Sequence, residues 1–260
     1  MTAMKHFLFA ALLATGPGRA AAIALDWQGD RAIFSPGTPD PQSPMLITEL
    51  AGVPGRAQTH WNSFNGPTGS ATGVLTDTGA TLPAVSVQWS GSAGVIHNGT
   101  FSTMIANSPG DYRMMKGYLV ADNTGMIDVT VSNIPFPLYD VILYVDDWST
   151  ALESGDFSLG SGVGLTQHWQ DQVNAIGVLP ADFAGQYVQS GQGPGNYLYF
   201  TGLSSATLHL TATTSNSTRV ALNGMQIIGV PEPSSAMIAA AVTAALGFRR
   251  FRRSRPSSVP

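Results

Sequence analysis

Ile127-Asp-Val-Thr-Val-Ser-Asn-Ile-Pro-Phe-Pro-Leu-Tyr-Asp-Val-Ile-Leu-Tyr144 decides the fold class. Ile127, Val129 and Val131 alternate with Asp128, Thr130 and Ser132. A period of two puts one set of side chains on a core and the other in water, which is a half-buried strand. Pro135 and Pro137 fix φ and remove backbone donors, so they make a turn. Val141-Ile142-Leu143 is then apolar without interruption and reads as a second, more deeply buried strand.

Working outward, similar short runs recur at 84–89, 118–121, 196–201, 207–213 and 220–228. Asn-Gly, Asp-Asn-Thr-Gly and Gly-Gln-Gly-Pro-Gly segments punctuate them. No long stretch between 23 and 229 shows a period of 3.6, and no repeat is visible. The pattern predicts an all-β domain over 25–229, a β-sandwich or jelly roll. Gly195–Leu203, Ala206–Ala212 and the closing Arg219-Val-Ala-Leu-Asn-Gly-Met-Gln-Ile-Ile228 extend the layout. Their order resembles galactose-binding-like and malectin-like jelly rolls. That resemblance implies a final strand returning to the core and a carbohydrate-binding-like module.

Charge excludes one class of partner. Residues 23–229 hold five basic residues, Arg31, Arg56, Arg113, Lys116 and Arg219, against fifteen acidic ones, a net charge near −10. Nucleic acid needs a basic face, so it is not expected as a partner. The chain has no cysteine, which rules out disulfides and thiolate zinc sites.

The two ends differ from the middle. Lys5 and His6 precede the apolar 7–14, Gly16-Pro17-Gly18 breaks it, and Ala20-Ala21-Ala22 and Ala22-Ile23-Ala24 offer small-residue cleavage sites. Residues 1–24 thus read as a secretory signal peptide, with the mature start near Ile23 or Leu25. At the other end, 230–255 begins Val230-Pro231-Glu232-Pro233, continues through an uncharged apolar stretch at 236–248, and ends in Arg249, Arg250, Arg252, Arg253 and Arg255. An apolar helix followed by arginines inserts with the arginines on the cytoplasmic side. At about 1.5 Å per residue the stretch spans about 20 Å, short of the roughly 30 Å hydrocarbon layer. This order resembles the PEP-CTERM sorting signal of Gram-negative bacteria, with the motif at Pro231, Glu232 and Pro233. The resemblance implies recognition and cleavage by an exosortase, transient holding in the inner membrane by the short C-terminal transmembrane helix, and association with extracellular polysaccharide or biofilm matrix.

Chemistry-bearing motifs are sparse. Asp77-Thr78-Gly79 has the letters of an aspartic-protease signature but no second copy, and it reads as a turn. His60, His97, His168 and His209 stand in no metal or hydrolase motif, and no catalytic residue is expected. Asp146-Asp147-Trp148 follows the apolar strand, so it is expected to open a loop at a rim of the sandwich. There two carboxylates would accept hydrogen bonds from sugar hydroxyls while the indole stacks on the ring, or would offer hard oxygens to Ca²⁺. Trp61 and Asn62 form a second candidate loop, and Trp169 is a third aromatic candidate. The expected carbohydrate-binding set is therefore Trp61, Asn62, Asp146, Asp147 and Trp148, with no cofactor beyond a structural Ca²⁺. The leading expectation is an exported, non-catalytic matrix protein. A structural surface protein without a small ligand and a secreted polysaccharide or ester hydrolase are the alternatives.

Overall fold

The structure is a computed structural model that describes residues 21–28, 45–97, 109–147, 153–160, 165–171, 183, 185–191, 193–215 and 219–231. Residues 1–20 of the expected leader 1–24, Trp148, Glu232, Pro233, the apolar stretch 236–248 and the arginine cluster lie outside the described residues. No helix among the described residues is long and apolar enough to cross a membrane.

Strands β1–β14 are numbered along the chain and fall into three sheets. A five-stranded sheet runs β11 (Tyr197–Leu203), β8 (Tyr139–Tyr144), β14 (Gly224–Gly229), β1 (Ala22–Gln28), β2 (Asn62–Asn65). A six-stranded sheet runs β10 (Leu165–Gln170), β9 (Ser154–Leu159), β12 (Thr207–Thr214), β7 (Ile127–Ser132), β4 (Thr81–Gly91), β3 (Thr68–Leu75). A small third sheet runs β13 (Arg219–Leu222), β6 (Gly117–Asp122), β5 (Gly94–His97), and the one helix among the described residues, α1 (Pro109–Lys116), precedes β6. Among the described strands, β1 and β2 alone pair in parallel with each other.

The two large sheets share one core. Ile23, Leu25 and Trp27 of β1, Val141 and Leu143 of β8, and Met225 and Ile227 of β14 form a single buried cluster with residues of the other sheet. Those are Val85, Val87 and Trp89 of β4, Val129 and Val131 of β7, Phe157 of β9, and Leu208 and Leu210 of β12. The chain is therefore an all-β sandwich, as its alternating pattern predicts. The third sheet adds Leu119, Ala121, Val220 and Leu222 to the same cluster.

Each apolar run noted in the sequence coincides with a strand to within about two residues, but 220–228 holds two. Asn223 ends β13 in the small sheet and lets β14 enter the large one. Its fully buried carboxamide makes this possible: Nδ2 donates to the Met115 carbonyl at 2.8 Å, and Oδ1 accepts the Asp146 amide at 2.7 Å. β3 places only Ala71 and Val74 against the core, and its first half is held instead by shape. A Cβ on Gly69 would lie 2.2 Å from the Trp89 ring, so only glycine lets the indole rest on this strand. The Asp-Thr-Gly stretch is the β3–β4 turn, with Gly79 at φ +79°. Asp77 clips the start of β1 there, its amide donating to the Ala22 carbonyl at 2.9 Å and its Oδ1 accepting the Ala22 amide at 3.2 Å.

The outer faces of the two large sheets differ. Residues 45–60 and α1 lie over the five-stranded sheet. Gln226 Nε2 donates to Gln58 Oε1 at 2.9 Å and to the Arg56 carbonyl at 3.0 Å, and its Oε1 accepts from the Tyr144 hydroxyl. Asp111 Oδ1 accepts the Gly52 amide at 2.8 Å and the Tyr187 hydroxyl at 2.6 Å. The outward side chains of the six-stranded sheet are at least partly exposed, apart from Ser154 at the start of β9.

β1 begins at Ala22, so its first three residues fall before the expected domain start at Leu25. Ala22, Ile23 and Ala24 pair with Ile228, Ile227 and Gln226, and Ile23 and Ala24 are fully buried. A domain cut to begin at Leu25 loses those pairs, both Asp77 bonds and the Ile23 side chain. Deleting a buried Ile side chain alone costs about 2–5 kcal/mol. At about 2–4 °C per kcal/mol for a domain of this size, its melting temperature should fall by at least about 5 °C relative to one beginning at Ala21. Thermal denaturation followed by circular dichroism checks this, and equal melting temperatures would mean the start of β1 contributes nothing.

Candidate functional site

The residues expected to form a sugar-binding rim serve the interior instead. Trp61 is 4% exposed; its Nε1 donates to the Gln58 carbonyl at 3.0 Å and its ring meets Tyr144 edge-on at 5.8 Å. Asn62 opens β2 rather than a loop. Its carboxamide donates to the Ala24 and Leu75 carbonyls at 2.9 and 3.0 Å and accepts the Leu75 amide at 2.8 Å, tying β1 and β2 to the end of β3. Asp146 and Asp147 are buried. Asp146 Oδ2 accepts the Phe183 amide at 3.1 Å, and Asp147 Oδ2 lies 3.4 Å from Arg219 Nε. Trp169 is also buried, donating to the Gly195 carbonyl at 2.9 Å.

The physical reason is the third sheet. The end of β8 is not a rim here, because Arg219 of β13 and Phe183 engage the two aspartates that follow it. Among the described residues no group of three or more histidine or acidic side chains is placed to hold a metal ion. Trp61 and Asn62 reach the buried Asp146–Asp147 pair only through the packed interior around Tyr144 and Asn223.

An open polar surface lies on the other side of the molecule. Strand register lines up the outward residues of the six-stranded sheet into rows. The longest row is Thr166–Ser158–Thr211–Asp128–Ser90–Thr68, one residue from each strand. Beside it run His209–Thr130–Gln88–Ser70 and Thr207–Ser132–Ser86–Thr72. At one end lies His168–Asp156–Thr213. None of these seventeen residues is buried, and only the two aspartates belong to the Lys, Arg, Glu and Asp set, beside two histidines. A soluble surface is commonly designed with about 25–35% Lys, Arg, Glu and Asp, so this face is low in charge, with Gln88 and the two histidines as its longest side chains. With strands about 4.8 Å apart, the longest row spans about 24 Å.

Both ends of that row open into grooves. Thr166 and His168 line one of about 520 Å³ with Gln167, Gln189, Ser190 and Gly191. Thr68 and Ser90 line the other, of about 550 Å³, with Pro67, Gly91 and the half-exposed Met126 among its walls. Two cross-strand pairs stiffen the face: His168 Nδ1 to Asp156 Oδ1 and His209 Nε2 to Asp128 Oδ2, each at 2.8 Å. Ser158 and Thr166 hydroxyls are hydrogen-bonded at 2.8 Å. Hydroxyls, amides and imidazoles offer both donors and acceptors, which suits a neutral, hydroxyl-rich ligand.

No protein-family model matches the chain, and no curated protein does. The face must therefore be judged on its own chemistry.

The side chains with perturbed acidity all lie away from it. Burial raises Asp26 to about 7, against a lowering by the Ser63 hydroxyl, which donates to it at 2.6 Å. Burial likewise raises Asp111, opposed by the Tyr187 hydroxyl and Gly52 amide. Tyr144 and Tyr187 are pushed up by burial first and then by neighbouring charge. Asp111, Tyr144 and Tyr187 hold the covering segment onto the five-stranded sheet, Asp26 joins β1 to β2, and none of them lines either groove.

Two outcomes follow from this placement. Trp61→Ala should destabilise the domain by about 3–5 kcal/mol, as expected for a buried indole, with urea unfolding as the measurement. Asp26 keeps its proton longer in the folded than in the unfolded state. Its contribution is complete below pH about 4 and is lost as pH rises to about 7. Asp26→Asn should remove that loss, on the order of 4 kcal/mol at full extent. The variant should equal the native domain near pH 4 and exceed it at pH 8. Parallel stability profiles would show that Asp26 is not the group responsible.

Proposed function

We propose that the chain is an exported protein whose sandwich binds extracellular polysaccharide without catalysis, and that its open six-stranded face is the binding surface. The observation that carries this reading is the six-residue row of short polar side chains running between two grooves. A single sugar would find no enclosing pocket there, but an extended polymer can lie along the row and drop into a groove at each end. Ser and Thr lose little rotamer freedom on contact compared with Lys, Arg or Glu, so ordering the face costs little. Each hydrogen bond exchanged with water contributes only about 0.5–1.5 kcal/mol, so retention depends on many contacts along one chain and on many domains along one matrix. Among the described residues no Ser or Thr hydroxyl of the face is hydrogen-bonded to His168 or His209, which favours binding over hydrolysis.

The order of the chain supports the rest of the proposal. Residues 1–24 read as a secretory leader, and of the two expected mature starts, Ile23 rather than Leu25 would keep nearly all of β1 with the domain. The Pro231-Glu232-Pro233 stretch, apolar segment and arginines resemble the PEP-CTERM signal. We read them as an exosortase target that holds the precursor briefly in the inner membrane of a Gram-negative bacterium. β14 ends at Gly229, and the Val230 amide still donates to the Leu138 carbonyl at 2.8 Å, so a cut within 231–233 would spare the fold. We further propose that the sandwich is of the galactose-binding-like or malectin-like type, in keeping with its last strand returning beside its first.

Thr130 and Thr211 lie at the centre of the face. Replacing both by Arg should cut retention on the producing strain's own exopolysaccharide about tenfold or more, equivalent to losing about two contacts, with little change in melting temperature. Undiminished retention of a folded double variant would overturn the assignment of the face. No retention even by the native protein would leave the purely structural surface role as the better reading. Intact mass of the released protein should show loss of both the leader and Arg249 to Arg255.

A further inference from the structure

A sheet edge is a row of backbone donors and acceptors awaiting partners, and most proteins blunt it with charge, proline, brevity or a cover. β2 is only four residues long. β10 is tied at its end, where the Gln170 amide donates to Ser190 Oγ at 3.3 Å and its carbonyl accepts the Gly195 amide at 3.0 Å. β11 is interrupted by a register shift between Phe200 and Leu203 and meets Gln189 at Tyr197. β3 has none of these defences over most of its length. It pairs with β4 on one side, and its eight residues, Thr-Gly-Ser-Ala-Thr-Gly-Val-Leu, include no charge and no proline. Among the described residues, no backbone hydrogen bond joins 68–74 to anything but β4; the first outside partner is the Asn62 side chain at Leu75. The only interruption is the bulge at Gly73, φ +77°, which leaves 68–72 as a straight, open edge.

We propose that this edge pairs with the same edge of a second copy of the chain, antiparallel about a two-fold axis at Ser70. That register sets Thr68 against Thr72, Gly69 against Ala71 and Ser70 against itself. Thr–Thr and Ser–Ser pairs are favourable cross-strand neighbours, and Gly69 and Ala71 are too small to clash. Charge selects the occupant. Most acidic partners would gain nothing from an uncharged edge, whereas a second copy of this domain, near −10 over residues 23–229, can approach another closely only where neither carries charge. An isologous contact of this kind closes as a dimer. It would join two six-stranded faces into one of twelve strands, and it would hold whether or not that face binds sugar. Five paired residues make a small contact, so the dimer forms at high local concentration.

The absence of cysteine makes the test direct. Directly opposed strand residues have Cα atoms about 4.5–5.5 Å apart, within the range a disulfide spans. In the full chain, Ser70→Cys should give a disulfide-linked dimer under mild oxidation, read on a non-reducing gel. Gln88→Cys, on the same face but two strands inward, should not. Adding Thr68→Lys with Thr72→Lys puts like charges opposite each other and should suppress the cross-link at least fivefold. Adding Thr68→Lys with Thr72→Glu makes complementary pairs and should preserve it. Because the double-lysine change lowers the net repulsion between chains, non-specific collision would raise its yield instead. Equal yields for the two charge variants, or equal cross-linking at Ser70→Cys and Gln88→Cys, would overturn the proposal. Circular dichroism melts of all variants exclude misfolding as the cause.

Discussion

Buried carboxamides hold this fold at its seams. Backbone groups that leave a sheet must still be paired when they are buried, because an unmet donor or acceptor there costs about 1–3 kcal/mol. With no disulfide to staple its loops, the chain uses amide side chains that both donate and accept. Asn62 joins the end of β3 to β1 and β2, and Gln226 holds the 56–58 segment onto β14. Asn196 accepts the Val188 amide at 2.9 Å and donates to the Gln186 carbonyl at 2.8 Å. Asn223 has the widest reach, since it separates two sheets and fixes both α1 and the segment after β8. An Asp at any of these positions would keep the acceptor and lose the donor, while adding a charge to be desolvated.

The same seams explain why the two sheet faces have diverged. Tyr144, Gln226, Asp111 and Tyr187 are large polar groups that bridge to a covering segment, so the five-stranded sheet is closed on both sides. The six-stranded sheet carries Ser, Thr and His outward, side chains too short to recruit such a cover. Packing therefore leaves one broad surface on which outside chemistry can act.

The sandwich was legible because β4, β7, β8 and β12 carry apolar residues at a period of two or in unbroken runs. β3 was not, since a strand of Gly, Ser and Thr has no such pattern and owes its place to the Trp89 ring over Gly69. β1 hid behind a small-residue stretch that also suits a cleavage site. Asp146 and Asp147 were read as exposed because acidic pairs after a strand usually are; their burial depends on β13 and Arg219, about seventy residues away. The outward alternation of Asp128, Thr130 and Ser132 was visible in the sequence. That these residues align with Thr211, His209 and Thr207 into rows depends on strand register, which composition does not encode.

β1 and β14 are neighbours at the centre of their sheet, yet Ala22 and Ile228 are about 200 residues apart along the chain. Contacts that distant form late, because the entropy of closing the loop must be met before any pairing rewards it. A chain emerging amino end first therefore presents β1 with no partner until the domain is almost complete. Until then β1 and β8 both expose an edge that β14 alone is shaped to fill, and the domain depends on helper proteins or on rapid completion to avoid pairing wrongly. Folding of this protein is timed by its last strand.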